Sequence, residues 1–86
     1  MTQAQRVKRA EKGRYEVMLA WDDEACVWVA TSKDVFGLIM EHESFDRLIE
    51  NVCNAVPELL AMEDETRDDI SMEFTATRCE RIALHG

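Results

Sequence analysis

Two segments near the start of the chain alternate apolar and polar residues with period two, the pattern of half-buried β-strands. In the segment 14–21, one face holds Tyr15, Val17, Leu19 and Trp21. The segment 26–31 is rich in β-branched and aromatic residues and follows a short acidic turn. The short separation predicts a β-hairpin, whose register the sequence leaves open; one possibility pairs Trp21 with Cys26.

Two further strands are predicted downstream. The segment 38–41 is a short apolar stretch, and we expect Gly37 before it to adopt a backbone conformation that a side chain would disfavour. Apolar residues return at even positions over 70–76. Because Ile82 and Leu84 keep the same phase, we expect this last strand to continue to about residue 84.

The segment 44–62 has the 3.6-residue periodicity of an amphipathic helix. Its apolar face is Phe45, Leu48, Ile49, Val52, Cys53, Val56, Leu59 and Leu60. Ser44 is a suitable N-cap. Pro57 lacks the N–H that would bond to Cys53, so we expect the helix to kink or restart there.

The element order predicts an α+β fold, β-β-β-α-β, with two layers: an antiparallel sheet and one helix packed on one face. Residues 1–13 lack hydrophobic periodicity, so we interpret them as a flexible basic tail. Residues 14–86 then form a single domain.

One helix can cover only one face of such a sheet. If Trp21 pairs with Cys26, the uncovered face carries Met18, Ala20, Val27 and Val29; a one-residue slip would exchange the contribution of the second strand. Two interpretations stay open. These are scattered exposed apolar residues of the ordinary kind, or they form a surface for a homodimer or another partner.

The charge is divided unevenly along the chain. Residues 1–14 carry five Lys/Arg and one Asp/Glu (+4), whereas residues 15–86 carry five Lys/Arg and 17 Asp/Glu (−12), which sums to the net −8. An acidic body repels nucleic-acid phosphates and attracts a basic protein surface. We therefore expect a small basic protein as partner, and nucleic-acid contact at most weakly through the tail.

Composition and cysteine usage predict a cytoplasmic protein. The chain shows no apolar leader and no apolar run long enough for a membrane span. Cys26, Cys53 and Cys79 have spacings that match no zinc or redox motif. We interpret them as reduced, mostly buried thiols.

No pattern of catalytic or metal-binding residues stands out. His42 and His85 belong to no motif, and the cluster 22–24 lacks the glycine of a calcium loop. Asp34 could serve a nuclease centre together with Glu41 or Glu43, yet nothing in the sequence arranges them around a metal. We therefore predict a non-enzymatic protein with no metal and no cofactor.

Four runs of residues resemble the HicB-like antitoxin superfamily, closest to a small stand-alone branch described only as a domain of unknown function. The runs are 21–32, 34–38, 41–48 and 56–60. The resemblance implies the β-β-β-α-β fold and a partner of the HicA type, a small basic ribonuclease toxin. This chain departs from the family in having Phe36 where a proline usually precedes the glycine. We also expect no DNA-binding module after the domain.

The sequence thus predicts a protein-binding, antitoxin-like domain that neutralises a small basic HicA-type toxin; the alternative is an orphan oligomerisation or adaptor domain, likewise a dimer. The predicted partner-binding residues are Met18, Asp22, Asp23, Val27, Val29, Glu41 and Glu43.

Overall fold

Four strands and one helix follow each other in the predicted order. The protein is described by a computed structural model that covers residues 13–63 and 69–85. The elements are β1 (Arg14–Asp22), β2 (Val27–Thr31), β3 (Ile39–His42), α1 (Phe45–Ala61) and β4 (Ser71–Thr77). The α+β fold is therefore confirmed. The predicted tail, up to residue 12, lies outside the described residues.

The strands form one mixed sheet in the order β3-β2-β1-β4. β1 and β3 both run antiparallel to β2, whereas β4 runs parallel to β1. The prediction of an antiparallel sheet was wrong for this last strand. A parallel strand needs a crossover connection, and α1 provides it because it carries the chain from the β3 edge to the opposite edge.

The turn of the hairpin is longer than the sequence indicated. Trp21 pairs with Trp28 rather than with Cys26. Cys26 instead closes the turn with a left-handed φ of 57°, and its N–H donates to the carbonyl of Asp22 at 2.7 Å. Because the pairing moves by two residues, every side chain stays on its predicted face.

The helix begins and ends almost where the pattern placed it. The Ser44 hydroxyl accepts a hydrogen bond from the N–H of Arg47, and the helix runs without restarting through Pro57 to Ala61. Its buried residues are Leu48, Val52, Val56 and Leu60. The stripe follows the four-residue spacing and leaves Cys53 outside it. All three cysteines are exposed, so the prediction of buried thiols was wrong.

The core lies between the helix and one face of the sheet. The fully buried residues are Val17, Leu19, Ala30, Val35, Leu38, Leu48, Val52, Val56 and Leu60. Two of them come from the loop between β2 and β3. This loop turns at Gly37, whose φ of 85° confirms the predicted need for glycine.

Side chains tie the same loop to β1 beyond the end of the hairpin. The Ser32 hydroxyl donates to the carbonyl of Glu16 at 2.5 Å, and the Asp34 carboxylate accepts from the N–H of Glu16 at 2.8 Å. Ser32 also accepts from the N–H groups of Asp34 and Val35. The loop therefore satisfies the backbone of Glu16 where the paired residues of β2 have ended.

β4 is shorter than the predicted strand, which was expected to reach about residue 84. Its last paired residue is Thr77, opposite Ala20 of β1. β1 ends two residues later at Asp22, so the chain beyond residue 79 has no neighbouring strand among the described residues to pair with. Residues 78–85 have no regular secondary structure and are exposed throughout.

Candidate protein-binding surface

The sheet face opposite the helix, called the open face below, holds an apolar block. Two rows of neighbouring residues cross the sheet. The first row is Ile39, Thr31, Met18 and Thr75, and the second is Glu41, Val29, Ala20 and Thr77. Val27 continues the block beside Asp22. The apolar side chains of the block thus lie around Thr31. Thr75 and Thr77 border the block on β4, Glu41 borders it on β3, and Asp22 borders it at the end of β1.

Charged residues flank the block at the other end of β1. Glu16 lies opposite Glu73 on the parallel pair of strands. Each carboxylate has a cation: Lys33 donates to Glu16 at 2.9 Å, and Arg14 donates to Glu73. The open face therefore has a polar rim around an apolar centre, the arrangement typical of protein interfaces.

Four of the predicted partner-binding residues lie together in this block. Met18 is 46% exposed, Val27 and Val29 are half-buried, and Glu41 is exposed. Their side chains share the open face because of the two-residue period of the strands and the pairing of β1 with β2 and of β2 with β3.

The other three predicted residues lie at or beyond the edge of the block. Asp22 is at the end of β1, and its carboxylate accepts from the N–H groups of Glu24 and Ala25. Asp23 accepts from the indole N–H of Trp21, which is on the helix face. Glu43 is exposed between β3 and α1. Of these three, only Asp22 borders the open face.

Ile39 also lies on the open face but was not among the predicted partner-binding residues. It is 75% exposed and lies next to Thr31 in the first row. Its neighbours Leu38 and Met40 face the core, so the alternation 38–40–42 already placed Ile39 on the opposite side. Only the register between β2 and β3 shows that it adjoins Thr31 and, diagonally, Val29.

A second feature that the sequence did not predict is a cluster of aromatic rings at the end of the hairpin. The Trp21 and Trp28 rings are 5.5 Å apart, and Trp28 and Phe45 are 4.8 Å apart, both in edge-to-face contact. The Arg78 guanidinium lies 4.1 Å from the centre of the Trp21 ring. This cation–π contact holds the start of the C-terminal segment against the body.

Two of the polar side chains considered for catalysis, those of Asp34 and His42, have structural partners. Asp34 accepts from the backbone of Glu16, and His42 Nδ1 accepts from the N–H of Ser44 at 2.8 Å. Within residues 13–63 and 69–85, no group of three or more His, Cys, Asp or Glu side chains is placed to hold a metal ion. Within the same residues, α1 is too short and too polar to cross a bilayer.

Fold and surface together define a small α+β domain whose mixed sheet is covered by a helix on one side only. The chain belongs to the family described as a domain of unknown function, DUF1902, whose model matches residues 14–85. The prediction of a branch described in those terms is confirmed, whereas the relation to HicB-like antitoxins stays a prediction.

A solved structure and this chain are similar over most of their lengths. It is the crystal structure of a hypothetical protein from the extremely thermophilic bacterium Thermus thermophilus, 32% identical, with a TM-score of 0.60. The match covers 83% of this chain and 99% of that one. No curated protein matches the chain.

Proposed function

We propose that this protein is a cytoplasmic, non-enzymatic binding domain that docks a small basic protein on its open face, in the manner of an antitoxin that blocks a HicA-type ribonuclease. The observation that carries the proposal is the apolar block. Met18 and Ile39 are 46% and 75% exposed in the same row, on either side of Thr31, and the half-buried Val29 lies in the adjoining row beside Glu41.

Leaving this block in contact with water is unfavourable. Apolar area contributes about 25 cal/mol per Å² when it leaves water, and contiguous exposed apolar surface on a small domain marks an interaction site. The threonines and carboxylates at its margin supply hydrogen-bond partners at the rim of an interface. A single partner surface could cover both rows.

Charge supports a basic partner. Residues 15–86 carry a net charge of −12, and Asp22 and Glu41 border the block on the open face. Complementary charge raises association rates and discourages acidic competitors. Together with the resemblance to HicB-like antitoxins, this favours a small basic toxin over a neutral or acidic ligand.

The test is neutralisation of a small basic HicA-type protein encoded beside this gene. We expect that protein to inhibit growth when produced alone, and we expect this chain to co-purify with it and restore growth. Glu41→Lys places a positive charge on the open face and should weaken binding at least about tenfold. Glu50→Lys makes the same charge change on the exposed side of α1 and should leave binding within about twofold.

Two results would overturn the proposal. One is that no adjacent small basic protein is toxic or co-purifies. The other is that Glu41→Lys and Glu50→Lys weaken binding equally, because the attraction would then come from overall charge and not from the open face. Circular dichroism of both variants checks that each is folded.

The alternative, an orphan oligomerisation domain, has its own supporting observation in the exposed residues 78–85. A stable dimer that ignores every adjacent basic protein would favour it.

A further inference from the structure

The segment 78–85, called the C-terminal arm below, exposes large apolar side chains, whereas apolar side chains of the preceding strand β4 pack against the core. Ile82 and Leu84 are 78% and 82% exposed. They continue the even-numbered phase of Met72 and Phe74, which are half-buried beside the core. The arm therefore has the alternation of a strand and, within the described residues, no strand to pair with.

β4 offers the missing pairing position. It is an outer strand of the sheet, bonded to β1 on one side, and no described strand pairs with its other side. The outer N–H and C=O groups of an edge strand can accept another chain. β4 is seven residues long and the arm eight, so an extended arm spans the length of β4.

The arm is fixed at its root by Arg78 and is exposed along its length. Arg78 stacks on Trp21 and donates to the Glu80 carboxylate at 2.7 Å. The stretch 78–85 contains no Gly, Pro, Asn or Asp, the residues that favour a tight reversal of the chain. An arm that cannot easily turn back meets its partner on another molecule.

We propose that this chain forms a two-fold dimer in which the C-terminal arm of each copy pairs antiparallel with the β4 edge of the other. With Thr77 at the two-fold axis, Ile82 lies beside the partner's Met72, and Leu84 lies beside the partner's Ile70. Even residues then face even residues, so both helices lie on the same side of one continuous sheet.

Charge favours this register. The arm carries Arg78 and Arg81 against Glu80, a net +1, whereas residues 15–77 carry three Lys/Arg against 16 Asp/Glu, a net −13. The same register places Arg81 opposite the partner's Glu73. Opposite charges directly across two strands are favourable, and the positive arm offsets part of the repulsion between two acidic bodies.

Sedimentation velocity of the full chain at increasing concentration tests the dimer. We expect a concentration-dependent dimer, and we expect the double variant Ile82→Ser/Leu84→Ser to weaken it at least about tenfold because two apolar pairs are lost at each arm, four in the whole dimer. Phe36→Ser is the matched control: Phe36 is 82% exposed but lies in the loop before β3. It should leave the dimer unchanged. A monomer at every concentration, or equal weakening by the control, overturns the proposal.

Cross-linking of the native cysteines can locate the interface, because all three are exposed. In the proposed register the two Cys79 Cα atoms lie about 14 Å apart. A bis-maleimide that bridges this distance should give a covalent dimer that Cys79→Ser abolishes and that Cys26→Ser and Cys53→Ser retain. Cross-linking that survives Cys79→Ser overturns the assignment to the arm. β4 contributes only Thr75 and Thr77 to the margin of the apolar block, and the arm pairs with the backbone edge of β4 rather than with the open face. Toxin binding and dimerisation can therefore each fail without the other.

Discussion

The two faces of the sheet are built from the same strands but differ in what covers them. Along β1, Val17 and Leu19 are 0% and 1% exposed, whereas Met18 between them is 46% exposed. All three side chains are apolar, so hydrophobicity alone does not decide burial. The difference arises because α1 and the β2–β3 loop cover one face only. Stability is therefore concentrated on the helix face, and the open face is available for binding.

Replacing neighbouring residues of β1 tests this division most strongly. We expect Leu19→Ala to lower the free energy of unfolding by about 2–5 kcal/mol, because it leaves a cavity in the core. Met18→Ala on the open face should cost less than about 1 kcal/mol, since its side chain is already partly in water. Urea denaturation followed by tryptophan fluorescence measures both values.

Equal losses for the two variants would contradict the comparison. They would mean that the open face is covered by other parts of the chain in solution, and the apolar block would then not be a binding surface. A dimer linked only through β4 would not change this expectation, because the arm pairs at the edge of the sheet.

The loop between β2 and β3, which closes the helix face, should show the next largest effect. Asp34→Ala should lower the free energy of unfolding by about 1–3 kcal/mol, because the N–H of Glu16 loses its partner in a partly buried position. Asp34→Asn keeps an oxygen acceptor of the same size and should recover most of this loss. If both variants are equally destabilised, the stabilisation comes from the negative charge of Asp34 and not from its hydrogen bond to the backbone.

The sequence predicts those elements whose side chains are sorted by local periodicity. The helix stripe of Leu48, Val52, Val56 and Leu60 follows from 3.6-residue spacing, and the faces of β1 and β2 follow from alternation. Ser44 was identifiable as the N-cap from its position before the first apolar residue. The same local patterns placed Met18, Val27 and Val29 correctly on the open face.

Features that depend on contacts between distant segments were not predictable in this way. The direction of β4 depends on where α1 returns the chain, which periodicity does not encode. The end of β4 at Thr77 depends on the end of β1 at Asp22. The position of Ile39 in the block depends on the register of β3 against β2. In the sequence Arg78 is an ordinary surface charge, and only the fold brings it onto Trp21.

In Glu16 the backbone and the side chain belong to different faces of the sheet. Changing its side chain should have the smallest effect on the free energy of unfolding. Its backbone binds the loop that closes the helix face, whereas its side chain lies on the open face and pairs with Lys33. Glu16→Gln keeps the backbone bonds and removes only the charge.

We expect Glu16→Gln to change the free energy of unfolding by less than about 0.5 kcal/mol, because an ion pair between side chains that are 47% and 75% exposed is weak. Removing the charge also relieves repulsion from Glu73 on the adjacent strand. Denaturation in low and high salt checks this, since the small difference should shrink further as salt screens both terms. A loss comparable to that of Asp34→Ala would mean that charges on the open face stabilise the fold as much as the hydrogen bonds behind it, and the division between the two faces would not hold.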